Sequence, residues 1–174
     1  PDKLNILINS PCSEDPVELR DRILLELAYA TVWKTSQLAR IQDVTLNEVG
    51  LLEIKIGTEI KEVPHLGINK ERLKKYKIHL PKLDVRESFW INMPNKSTNL
   101  NFLRLIIRKQ LKPIGLDLKK LREIATQQFQ KNGADIRSVQ KLRNLKKIHR
   151  FQSLVDTDYE ELRRKFSQSH TRNH

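Results

Sequence analysis

A chain of 174 residues with 38% hydrophobic side chains is expected to form one ordinary domain around a single core. No apolar run approaches the roughly 20 residues a membrane-crossing helix needs, and one cysteine, Cys12, excludes an internal disulfide framework and a cysteine-based zinc site. The formal charge is +12 and unevenly spread: residues 1–50 carry 5 basic and 8 acidic side chains, whereas residues 101–150 carry 14 and 3, net +11, the footprint of a face that binds a polyanion.

The chain opens on Pro1 without a basic-then-apolar leader, so no secretory signal is expected in it. Its start reads as a boundary, with a further domain upstream. Ser13-Glu14-Asp15-Pro16 predicts a helix start: Asp15 caps, Pro16 suits the first helical position, and Glu18 falls at the capping-box position. Leu19, Ile23, Leu24, Leu27 and Ala28 then recur at helical spacing to about Thr31. A shorter helix is predicted over 36–41, with Val32-Trp33-Lys34 at the bend between the two.

From Leu46 to Val63 the period becomes two. Leu52, Ile54 and Ile56 alternate with Glu53 and Lys55, and Gly57-Thr58-Glu59 supplies a turn. A small antiparallel hairpin, with room for a third strand, is expected to end at Pro64. Residues 69–77 suit a short charged helix capped by Asn69. A polar connection follows, carrying the apolar patch Ser88-Phe89-Trp90-Ile91. Phe89 and Trp90 are expected in the core rather than on a base-stacking surface.

A strong helix is predicted from Asn101 to Leu111, with Phe102, Leu105, Ile106 and Lys109 on one stripe and Arg104 and Arg108 on another. Pro113 and Gly115 stop it. The next helix runs from Leu118 to Lys131 and closes on Asn132-Gly133. Asp135 caps another through about Leu142, and a basic link leads to a last amphipathic helix over 158–167. The sum is a mainly α chain with a small antiparallel β-sheet, an α+β fold, as a single domain over residues 1–174.

Four stretches together carry a family pattern. KNGADIRSVQKL preceded by KLR, RDRILLELAYAT-VWK-TSQL near the start, the hairpin ending in EVPHL, and D-Y-E-E-L…SH-T-R at the end occur in one order. This arrangement resembles the catalytic domain of the tyrosine recombinases, the phage integrase or Xer-type family, over about residues 15–174. The resemblance implies the DNA breaking-rejoining fold and a separate N-terminal DNA-clamping domain outside this chain. It also implies a chemistry in which a tyrosine attacks a DNA phosphate. Two arginines steady the phosphoryl oxygens, a hairpin lysine protonates the leaving oxygen, and a His or Lys assists.

Carried over position by position, the first arginine falls on Lys34, which keeps charge but lacks the bidentate fork. The hairpin lysine falls on Ile56, with Lys55 beside it on the opposite strand face. The His/Lys position is Lys119, the second arginine is Arg122, the later histidine falls on Leu145 and the nucleophile on Leu154. Leucine has no nucleophilic atom. Tyr159 lies about 140° further around a helix at roughly 100° per residue, and Ser153 belongs to no chemistry of this family. The expectation is a degenerate recombinase that binds duplex DNA without cleaving it. Two alternatives remain: an active recombinase using Tyr159 or a partner's tyrosine, and a protein-interaction subunit of a recombination complex.

Lys34, Lys119, Lys120, Arg122, Arg137, Lys146, Lys147 and Arg150 are the candidate phosphate contacts. His65, His79 and His149 lack metal-ligand spacing, so neither metal nor cofactor is expected. Double-stranded DNA is the expected partner, with a homo-oligomer or an active recombinase engaged through the last helix. The expected setting is cytoplasmic, at the nucleoid, with no membrane.

Overall fold

The computed structural model describes residues 2–11, 13–48, 51–64, 67–80, 88–91, 100–131 and Val139. In chain order these form α1 (Asp2–Asn9), α2 (Pro16–Thr31), α3 (Thr35–Leu38), β1 (Asp43–Leu46), β2 (Leu51–Ile56), β3 (Glu59–Pro64), α4 (Lys70–Ile78), α5 (Leu100–Leu111) and α6 (Leu118–Lys131). A 3₁₀ turn, Lys112–Ile114, follows α5. The architecture is the expected one: mainly helical, with one three-stranded antiparallel sheet in the order β1-β2-β3.

Helix α2 is the axis. Asp15 caps it by accepting from the Glu18 backbone N–H at 2.9 Å, with Pro16 at its first position. Its buried residues run almost all the way round, from Leu19 through Ala30, because α1, α4, α5, α6 and β3 all pack on it. A helix covered on every side must neutralise its polar residues internally. Glu26, fully buried, does so with Arg72 of α4, and also accepts from the Asn69 N–H at 3.0 Å. Arg72 in turn donates to the Ile8 and Ser10 carbonyls.

Helix α1 was not foreseen. It is eight residues long with no local start signal, and marginal as an isolated helix. Leu4 and Ile8 enter the core, and Arg22 and Arg72 reach its last carbonyls. Helix α3 is shorter than the predicted 36–41, ending at Leu38 in a turn through Arg40. Strand β1 starts earlier than the expected period-two region, at Asp43.

In the sheet, Val44, Ile54 and Lys61 stand opposite one another, as do Leu46, Leu52 and Val63. Directly opposed residues share a face, so this is the core side. Asp43, Lys55 and Ile60 lie on the other side. Gly57, at φ +62, makes the two-residue turn between β2 and β3.

Residues 88–91 are fastened by three hydrogen bonds to α4 and α3. The Tyr76 hydroxyl donates to the Phe89 carbonyl at 2.8 Å and accepts from the Ile91 N–H at 3.1 Å, and Trp90 Nε1 donates to the Leu38 carbonyl at 2.8 Å. Phe89 and Trp90 are buried, as expected of core residues. On α5 the buried stripe is Leu103, Ile106, Ile107 and Leu111. Leu105, expected beside Ile106, is 60% exposed. The helix packs through a face centred on 103/107, and Leu105 lies about 200° from Leu103 at roughly 100° per residue. Of the helix expected over 135–142 only Val139 is described, helical and buried. The Asn132-Gly133 cap and the helix expected over 158–167 lie outside the described residues.

Candidate nucleic-acid interface

The bend after α2 ties the chain just before Lys34 to Arg122 of α6. Thr31 turns its hydroxyl back onto the Leu27 carbonyl, 2.7 Å, and accepts from the Trp33 N–H at 3.2 Å. Between them Val32 adopts a left-handed conformation, φ 57 and ψ 17. A β-branched residue is a genuine outlier there. It is held by a fully buried side chain and by what its carbonyl meets: Arg122 Nε of α6 donates to the Val32 oxygen at 2.7 Å. The strained turn and the arginine therefore fix each other.

Lys34 is two residues further on, exposed, at the N-cap of α3, where its backbone N–H donates to Gln37 Oε1 at 3.0 Å. Two residues of chain span at most about 7 Å, so the Lys34 backbone lies close to the point where Arg122 is anchored. Lys119 is exposed in the first turn of α6, three residues before Arg122, and residues at that spacing are surface neighbours. Among the described residues no carboxylate pairs with Lys34 or Lys119. Lys120 is also exposed, 3.5 Å from Glu123 of its own helix.

Sequence reasoning missed Lys61. Its Nζ lies 6.0 Å from the centre of the Trp33 ring, within reach of a cation–π attraction. The only salt bridge it forms among the described residues is an open one to Glu59 at 3.6 Å. The signal was present in the hairpin: a two-residue Gly57-Thr58 turn opposes 56 with 59, 55 with 60 and 54 with 61, so Lys61 shares the face of Ile54. Lys55 does not join this group. It lies on the outer face, opposite Asp43 and Ile60, as expected of the neighbour of Ile56.

The tripeptide Val32-Trp33-Lys34 is thus met by α6 through Arg122, by β3 through Lys61, and carries Lys34 itself. Chemically, such a group can hold a phosphate through an anchored guanidinium and mobile ammonium groups. Arg137, Lys146, Lys147 and Arg150, with Leu145, Leu154, Ser153 and Tyr159, lie outside the described residues. Among the described residues no cluster of three His, Cys, Asp or Glu could hold a metal, and no helix is long and apolar enough to cross a membrane.

No family model matches the chain. Three curated proteins do. Tyrosine recombinase XerC of Staphylococcus saprophyticus is 27% identical over 165 residues, 88% of this chain and 55% of its own length. XerC of Staphylococcus carnosus is 26% identical over 71% of this chain and 45% of its own length. Tyrosine recombinase XerD of Halalkalibacterium halodurans is 24% identical over 81% and 50%. The chain spans about half the length of these relatives. The crystal structure of XerA recombinase superposes with a TM-score of 0.64 at 16% identity, over 99% of this chain and 65% of that one. The fold is therefore that of a Xer recombinase, and the resemblance read from the sequence is borne out.

Proposed function

We propose, from homologues that are Xer tyrosine recombinases, that this chain is a recombinase-like domain that grips duplex DNA and does not cut it. Arg122, Lys34, Lys119 and Lys61 take the phosphate backbone, with Lys120 and the basic residues beyond 131 extending the contact. The observation that carries the reading is the 2.7 Å bond from Arg122 Nε to the Val32 carbonyl. It fastens the basic helix α6 to the turn bearing Lys34, as a two-sided phosphate grip requires. The net +11 charge of residues 101–150 supports it. The loss of cleavage rests on the sequence positions alone: leucine at 145 and 154, and lysine at 34.

The test is a duplex-binding titration in increasing salt, paired with a nicked suicide substrate. The native chain should bind with a steep salt dependence and form no covalent adduct. Lys119→Glu with Arg122→Glu should weaken binding and flatten the log–log salt slope by about 2, at roughly 0.9 per phosphate contact. A protein–DNA adduct that survives denaturation overturns the inactive reading. Unchanged affinity in the double variant overturns the proposed grip.

A further inference from the structure

A second surface lies on the other stripe of α5. Arg104 and Arg108 of α5, with Lys112 at the start of the 3₁₀ turn that follows, are spaced four residues apart and line an open cleft of about 390 Å³. Three side chains at that spacing run about 12 Å along a helix at 1.5 Å per residue. The rest of the lining is Gly115 and the chain entering α6: Leu116 and Leu118, both half-buried, with Asp117 between them. Arg104 donates to Asn101 Oδ1 at 3.2 Å. Among the described residues no carboxylate pairs with Arg108 or Lys112. Leu105, 60% exposed, is the helix-surface neighbour of Arg108.

We infer that this cleft docks an acidic amphipathic segment of a partner protein, an apolar anchor over Leu116 and Leu118 flanked by carboxylates facing Arg104, Arg108 and Lys112. Two features favour a peptide over a further stretch of nucleic acid. Leucines in the cleft invite apolar side chains, which a sugar–phosphate backbone does not offer. Asp117 lies in the part of the lining that enters α6, its Oδ1 accepting from the Lys120 N–H at 2.7 Å, and it repels a phosphate pressed to that part. A peptide can place its carboxylates only beside Arg104, Arg108 and Lys112. Exposed apolar surface rimmed by charge is the usual composition of a protein-docking patch.

The experiment is selection of a random 16-residue peptide library displayed on phage against the full chain, followed by anisotropy titration of the enriched peptides. Enriched sequences should combine Leu, Ile or Phe with Asp or Glu repeating every three or four residues. Their affinity should fall threefold or more in Arg108→Glu with Lys112→Glu, both exposed positions, with the circular dichroism spectrum unchanged. Peptides without acidic residues, no enrichment, or less than a threefold loss overturns the assignment. So does displacement of the peptides by a 20-base-pair duplex from the Lys119→Glu, Arg122→Glu protein, which would give the cleft to DNA. The duplex affinity of the Lys119→Glu, Arg122→Glu protein reads the proposed DNA grip separately.

Discussion

Val32 offers a sharp test because two substitutions there should rank against intuition. The residue is fully buried and its φ is +57. Val32→Ala removes two methyl groups, about 1.6 kcal/mol of transfer free energy plus a cavity term, and leaves the left-handed strain in place. Val32→Gly removes the whole side chain, roughly 2–3 kcal/mol, and adds about 0.5–1 kcal/mol of unfolded-state entropy. It also relieves strain of about 1–2 kcal/mol. Before its own cavity term the net for Gly is about 0.5–3 kcal/mol, close to that for Ala. In a right-handed or extended site Gly would be clearly worse than Ala. Urea unfolding monitored by tryptophan fluorescence of both variants measures the order. If Val32→Ala proves more stable than Val32→Gly by 1 kcal/mol or more, strain at Val32 is not what the turn stores.

Removing Arg72 strands the Glu26 carboxylate in the core and leaves the Ile8 and Ser10 carbonyls without their donor. Arg72→Met should therefore cost about 3–5 kcal/mol, and Glu26→Gln with Arg72→Met distinctly less than the sum of the single losses, as a double-mutant cycle in urea would record. Burial pushes the Tyr29 hydroxyl above its ordinary range near pH 10. A native state that holds this proton more tightly than the unfolded chain is favoured below about pH 10 and loses that advantage as pH rises through the native value. Tyr29→Phe should show a smaller drop in melting temperature between pH 9 and pH 11; an identical drop would remove Tyr29 from the account.

The elements that announce themselves locally were legible. Asp15-Pro16 marks the start of α2, and Asn69 marks α4, accepting from the Arg72 N–H at 3.0 Å. The alternation of Leu52, Ile54 and Ile56 with a turn beginning at Gly57 gives β2 and β3, although Glu59, expected in the turn, already opens β3. What failed depends on tertiary partners. Helix α1 exists because arginines from α2 and α4 hold its carbonyl end, which no window of eight residues reveals. Leu105 was misplaced because Phe102, Leu103, Ile106 and Ile107 support two overlapping stripes, and only packing on α2 chooses between them. At the candidate site, Arg122 and Lys119 followed from the family pattern and their one-turn spacing. Lys61 escaped because the hairpin was read along one strand and not across it. Arg122's anchor is a backbone carbonyl, and backbone acceptors leave no mark in sequence.

That anchor also has a consequence in time. A surface arginine ordinarily samples many rotamers and must be caught in the right one, so only a fraction of encounters is productive. In the proposed grip, Arg122 is already tied to Val32 before a phosphate arrives. Loosening the turn should then slow the capture of DNA more than it hastens release, since the contacts in the finished complex are the same. A change at a buried valine that touches no DNA would be felt chiefly as a lower association rate.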